Sequence, residues 1–386
     1  MMKDDERQGR LRTTSRSPFR PSFGSNPPLV TGRDAVLDEI ADALDSGPGA
    51  AGRAALITGN RGIGKTVVLN EAEALARERG WVVVSETATP GLLQRLAEEG
   101  LPEVADVLRQ APAPGTRPRL RGITLPAGLG GLQIDNPPAS SRGGVRPQLN
   151  ALTEALEDHG TGIMLTLDEV HAGAAREEVA QLATVVQHAF REDRPVAFAA
   201  AGLPAAVQDL LTADVSTFLR RARRFVLAPL SEVAARDALR LPIRDAGREV
   251  SEEALALMAE ATLGYPYLIQ VVGDRAWRQD TRSARITTEH ARVGVAEAIS
   301  ESWFALHEPA VNDLSEKDRS FLAAMAADEA ESSIADVQRR LDRDHGYVSR
   351  YRSRLIVAGL VEPSRRGYLR FTIPYMRDFL RSRLDV

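Results

Sequence analysis

A chain of 386 residues has room for two or three domains, and its 43% hydrophobic and 26% charged residues are ordinary for a protein with sizeable cores. It has no cysteine, which excludes disulfides, thiolate metal sites and thiol catalysis. No apolar run approaches the roughly 20 residues of a membrane helix, and Met1-Met2-Lys3-Asp4-Asp5-Glu6 lacks the layout of a secretion signal, so a cytoplasmic location is expected.

The net charge of −4 hides a segregation. Twelve arginines face four acids between Arg339 and Arg383, a net of +8, and five arginines stand without an acid between Arg7 and Arg20. Residues 1–28 are polar, end in Asn26-Pro27-Pro28 and predict a flexible basic arm. Leu29–Asp34 then leads into a helix with Val36, Leu37, Ile40 and Leu44 on one face, closed by Gly47-Pro48-Gly49. The segment lies just upstream of Gly59–Thr66; if that stretch holds a nucleotide, the segment could rest against the adenine, pack as ordinary core, or do both.

The apolar run Ala54–Thr58 predicts a buried strand, and the next eight residues are Gly59-Asn60-Arg61-Gly62-Ile63-Gly64-Lys65-Thr66. They satisfy G-x-x-x-x-G-K-[ST] between a strand and a helix running from Lys65 to about Arg79. Glycines let backbone N–H groups wrap phosphates, and the helix N-terminus adds partial positive charge. Gly59 to Thr66, with Val67, are therefore the expected nucleotide contacts. Lys65 would reach the β- and γ-phosphates, and the Thr66 hydroxyl would ligate Mg²⁺.

Trp81–Val84 predicts a second strand, followed by a helix over about Gly91–Arg109. The Pro/Gly-rich stretch Ala111–Gly144 carries Arg117, Arg119 and Arg121, with part of a hairpin at Leu129–Ile134. It reads as a surface insertion or a segment that touches nucleic acid or a partner. After a helix at Val145–Asp158, the run Gly162–Leu167 ends in Asp168-Glu169. Such a run suits the middle of a parallel sheet. Asp168 would hold Mg²⁺ through water, and Glu169 would orient and deprotonate the attacking water. His171 either links Glu169 to the site or begins the next loop.

A helix over about Arg176–Arg191 leads to the strand Pro195–Ala200, expected between the two nucleotide-binding strands. Its tip, Ala200-Ala201-Gly202, has no polar side chain for a γ-phosphate, which argues against fast hydrolysis. Arg220, Arg221, Arg223 and Arg224, in Thr217–Arg224, precede a last strand at Phe225–Leu227. They form either an exposed helix end or an arginine finger for a neighbouring subunit.

From Ser231 the pattern is helical, with starts at Ser231-Glu232-Val233, Ser251-Glu252-Glu253 and Gly264-Tyr265-Pro266, and it runs to about Glu308. Helices at about Glu316–Ala327, Ser333–Leu341 and Gly346–Ala358 follow, then two extended runs, Leu360–Glu362 and Tyr368–Phe371. This order predicts a winged helix-turn-helix. Its third helix, with Arg350, Arg352 and Arg354, would enter a DNA major groove or serve protein contacts.

Gly59–Thr66, Asp168-Glu169, the Thr217–Leu230 arginine segment and Gly264-Tyr265-Pro266 occur in an order that resembles AAA+ ATPases. The likeness is to the branch near origin-recognition initiators, archaeal ATPases and STAND signalling NTPases, and it covers about Leu29–Glu308. It implies an α/β P-loop core over 29–230, a helical lid over 231–308 and a winged-helix domain over 309–386. It further implies ATP/ADP with Mg²⁺, Lys65 as phosphate contact, Glu169 as catalytic base and Thr66 with Asp168 at the metal. Arg221, or secondarily Arg220, would be the finger acting across a homo-oligomer, and Pro266 would sit near the base or sugar. The Gly-Tyr-Pro lid, in place of the initiators' lid arginine, implies tight nucleotide holding and slow turnover.

Overall fold

A computed structural model describes residues 16–22, 26–110, 143–170, 173, 175–212 and 218–383. They divide into two compact units. One joins Arg33–Ala228 with Ala330–Thr372; the other joins Pro229–Glu329 with the described parts of Met1–Gly32 and Ile373–Val386.

The first unit begins with α1 (Asp34–Asp45), β1 (Ala54–Thr58), α2 (Lys65–Glu78), β2 (Val82–Thr87), α3 (Leu92–Arg95) and α4 (Leu101–Gln110). It continues through α5 (Val145–Asp158), β3 (Ile163–Val170), α6 (Arg176–Arg191), β4 (Val196–Gly202), α7 (Pro204–Thr212) and β5 (Arg223–Val226). The strands form one parallel sheet in the order β2-β3-β4-β1-β5. β1 and β4 are buried at every position, and β3 through Leu167. That is why these strands read as continuous apolar runs without alternation. Leu149 and Leu156 of α5 and Val179 and Val186 of α6 close the core over Leu165 and Phe198. All strands run one way, so their carboxyl ends gather at one edge of the sheet, where α/β folds place ligands.

Two local departures have physical causes. The helix expected over Gly91–Arg109 is two helices joined by a wider π turn at Leu96–Gly100, just before Pro102, which has no N–H to donate. β5 begins at Arg223, two residues earlier than expected. As an edge strand paired only with β1, it can carry Arg223 and Arg224 into solvent.

The second unit holds α8 (Glu232–Asp245), β6 (Glu249–Val250), α9 (Glu252–Ala261), α10 (Pro266–Arg278), β7 (Arg285–Ile286), α11 (Thr288–Ser302), α12 (Glu308–Asn312) and α13 (Glu316–Ala326). Ser231, Ser251, Thr287 and Ser315 each accept a backbone N–H three residues on, the capping that starts α8, α9, α11 and α13. The arm expected to be flexible is anchored near its end. Phe19 is buried against Gly273, where a Cβ would lie 2.5 Å from its ring, and the Arg20 N–H donates to Gln270 Oε1 at 3.1 Å. Burying one phenyl ring, about 1.5–3 kcal/mol, outweighs the polar composition around it.

The chain next supplies β8 (Ser332–Ser333), α14 (Ile334–Leu341), α15 (His345–Val357), β9 (Val361–Arg365) and β10 (Tyr368–Phe371) to the first unit, then α16 (Met376–Arg383) to the second. β10 lies between β8 and β9 in a small antiparallel sheet. Residues 309–386, expected as one domain, are thus shared between both units.

Candidate nucleotide site

The loop between β1 and α2 is shaped by its glycines. Gly62 and Gly64 adopt φ of 74° and 91°, a region that costs other residues strain. A Cβ on Gly59 would meet Ile63 Cγ2 at 2.7 Å and the Leu227 carbonyl oxygen at 3.1 Å. Ile63 is itself buried beneath the loop, so it contributes backbone to the cradle while its side chain anchors it. Behind the loop lies Arg33, buried, donating from Nη2 to the Ile63 carbonyl at 3.2 Å and the Ala228 carbonyl at 2.8 Å. The segment weighed as an adenine contact therefore supplies a brace for the P-loop.

Lys65 Nζ donates to the Asn60 carbonyl at 3.0 Å, holding the side chain along the loop. Burial pushes its ammonium down to about 8, against the opposing pull of Asp168 and Glu169 and with a smaller push from Arg61. An ammonium crowded in this way gains from an added anion. The Thr66 hydroxyl donates to Asp168 Oδ2 at 2.7 Å, joining residues 102 apart in sequence.

β3 is bent where its acids stand. Its register against β4 shifts between Leu167 and Val170, and Glu169 is exposed with φ of 55°. The Glu169 N–H donates to Asp168 Oδ1 at 2.8 Å. A bulge re-aims side chains that strict alternation would point to opposite faces, and a non-glycine residue at positive φ stores strain at a functional site. One turn back, the Thr166 hydroxyl donates to Glu73 Oε1 at 2.6 Å, and Arg77 holds the other oxygen at 2.9 Å. This buried brace fixes α2 to β3 two residues before Asp168. Sequence reasoning missed Glu73 and the role of Arg33; the Glu73-to-Arg77 helical spacing was the available signal.

The other expected residues fall elsewhere. The β4 tip, Ala200-Ala201-Gly202, is buried and offers no polar side chain. Arg220 and Arg221 are exposed just before β5, at the sheet edge opposite the P-loop, and Arg220 Nε donates to the Leu211 carbonyl at 2.8 Å. Neither can reach the P-loop of its own chain. Pro266 is the first residue of α10, in the second unit. On α15, Arg350 and Arg354 share a face at helical spacing, whereas Arg352 is turned from it and half-buried. His171, Thr217 and the insertion over 111–142 lie outside the described residues.

Thr66 and Asp168 supply two adjacent oxygen donors, which fits Mg²⁺, a hard cation usually held by one or two protein oxygens plus substrate phosphates. Among the described residues no cluster of three or more His, Asp or Glu would hold a metal alone. No helix among them is long and apolar enough to cross a membrane.

Residues 29–198 match the AAA ATPase domain family, and residues 305–380 match a domain of unknown function, DUF8462. No curated protein matches the chain. Among solved structures, the Walker-type ATPase PABY2304 of Pyrococcus abyssi is similar at 13% identity and a TM-score of 0.65, over 91% of this chain and 96% of that one. The Aeropyrum pernix ORC2 protein in its ADP form is similar at 15% identity and a TM-score of 0.53, over 95% and 98%. At such identities the structural likeness speaks to fold. The family match over residues 29–198, with the site geometry, supports an ATP-hydrolysing P-loop enzyme whose nucleotide-binding part is of the AAA ATPase kind.

Proposed function

We propose that this ATPase is a slow, nucleotide-controlled switch that oligomerises and engages duplex DNA through a C-terminal winged helix. The observation that carries the nucleotide half is the Thr66–Asp168 hydrogen bond beside the glycine cradle. Backbone N–H groups of Gly62 to Thr66 and the start of α2 would surround the phosphates, with Lys65 supplying a mobile charge. Thr66 and Asp168 would hold Mg²⁺, which when bound offsets phosphate charge. Glu169, set on its bulge and free of the Thr66 contact, would accept the proton of the attacking water. Slow turnover follows from the apolar tip of β4, which leaves the γ-phosphate without a side-chain donor from that strand. A trans role for Arg221 is supported by its exposure and its distance from its own P-loop.

The DNA half rests on the order α14, α15 and the β8-β10-β9 sheet, with exposed Arg350 on α15. A second reading, in which the winged helix serves the switch and binds protein, is favoured by one contact. The C-terminal end of α15 packs on the nucleotide fold: a Cβ on Gly359 would lie 3.2 Å from Leu203. Sizing the protein with ATP, with ADP and without nucleotide, each with and without a duplex, separates the two. DNA retention that ignores salt, or no retention at all, removes the DNA reading.

A further inference from the structure

The two acids at the end of β3 are held from one side. The register of β3 against β4 shifts between Leu167 and Val170, so Asp168 and Glu169 have no paired residue on β4. What remains is β2, where Thr87 is the register partner of Asp168 and the Ala88 N–H donates to the Asp168 carbonyl at 2.9 Å. β2 is itself the outermost strand of its sheet, and the end of an edge strand frays where nothing else ties it down.

Two side chains tie this one. Arg95, the last residue of α3, donates from Nη2 to the Thr87 carbonyl and to Thr89 Oγ1, both at 3.0 Å. Its Nη1 donates to the Pro90 carbonyl at 3.1 Å, and its Nε to Glu86 Oε2 at 2.9 Å. One planar fork thus grips the chain from Glu86 to Pro90, a geometry that a single ammonium does not offer. Glu178 of α6 accepts from the Gly91 and Leu93 N–H groups, each at 2.9 Å, and pins the far end of the same turn to a long helix. The turn that backs Asp168 is therefore fastened at both ends by charge-assisted hydrogen bonds.

We propose that Arg95, assisted by Glu178, is a positioning residue: by fixing the turn after β2 it holds the backbone of Asp168, and with it the metal carboxylate and the Glu169 base, in working register. The inference rests on the nucleotide reading above. Oxygen ligands of a metal depend on the groups behind them, and losing such support typically costs about 10–100-fold in metal affinity or activity. The phosphate cradle is built from Gly59–Thr66 and does not run through this turn. Arg95 therefore acts on the metal side of the site and leaves binding of the bare nucleotide alone.

The test compares Arg95→Gln with the wild type as full chains. Calorimetry with a non-hydrolysable ATP analogue in the presence of a chelator should give affinities within about twofold of each other. The Mg²⁺ concentration that half-saturates the tightening of analogue binding should rise about tenfold in the variant. Hydrogen exchange without nucleotide reads the turn itself: the Ala88 and Glu169 amides should exchange roughly tenfold faster in Arg95→Gln. Glu178→Gln, which keeps one acceptor oxygen, should move both readouts the same way by a smaller factor, and it carries the test if Arg95→Gln does not fold. An unchanged Mg²⁺ dependence in these variants, or an equal loss of affinity with and without Mg²⁺, overturns the positioning role while leaving the P-loop reading intact. A wild type that binds no nucleotide, with or without Mg²⁺, overturns both.

Discussion

The P-loop edge and the arginine-rich C-terminal region looked equally chemical in sequence, and the structure separates them. At the P-loop, charges are crowded rather than paired one to one: Lys65, its ammonium depressed by burial, lies near Asp168 and Glu169 and also near Arg61, and Asp168 accepts from the Thr66 hydroxyl. In the C-terminal region five of the twelve arginines are paired with acids. Arg365 pairs with Glu331 at 2.9 Å, Arg370 with Glu362 at 2.6 Å, Arg381 with Glu329 at 3.0 Å, and Arg339 and Arg383 with Asp336 and Glu308. A site keeps electrostatic demand for its ligand; a surface satisfies its demand internally. The net of +8 counted from Arg339 onward overstated the basic patch because Glu308, Glu329, Glu331 and Asp336 all lie before that window.

The largest expected effects lie at the P-loop edge. Glu169→Gln should keep ATP bound while phosphate release falls by about 10²–10⁴-fold, measured in a single-turnover assay. Unchanged turnover would reassign the base. Lys65→Ala should cost nucleotide affinity about a hundredfold by calorimetry, since a charge-assisted contact is lost in a low-dielectric cradle. A loss under threefold would place Lys65 outside the phosphate site.

How much of this was legible follows from what kind of pattern each part leaves. β1, β3 and β4 were readable because burial on both faces writes a continuous apolar run, and Gly59–Thr66 because a backbone cradle requires glycine at fixed positions. Asp168 was readable as the end of such a run. The bulge that turns Glu169 was not, because it arises from pairing with β4 and leaves no mark on residue type. Glu73 was hidden as one more charge in an amphipathic helix; only its partner Thr166, 93 residues away, makes it structural. Phe19 was hidden in the same way, one of two aromatics in polar company, with a slot made by Gly273. Where a residue's role is created by a distant neighbour, one sequence does not contain it.

Glu73 tests the comparison from its structural side. Glu73→Ala leaves the buried Thr166 hydroxyl without its acceptor and frees Arg77, and should cost about 1–3 kcal/mol in denaturant unfolding. Because the brace lies two residues before Asp168, nucleotide affinity should fall with it. Lost stability with unchanged affinity would show that the brace does not position the site.

The smallest effects should come from the paired arginines, and they sharpen the contrast most. Arg370 and Glu362 face each other across β9 and β10, both partly in solvent, and such pairs are worth roughly 0–1 kcal/mol. Arg370→Ala should therefore shift stability by less than about 1 kcal/mol. If the region from α14 to β10 binds a duplex, the same variant should leave the salt dependence of binding unchanged, because its charge is already matched by Glu362. Arg350→Ala should lower the slope of log affinity against log salt by about one phosphate's worth, roughly 0.9. Fluorescence anisotropy across a salt series reads both slopes. Equal slopes for the two variants would mean that the ion pairs between β9 and β10 open on binding, and that their charge is held in reserve as it is at the P-loop.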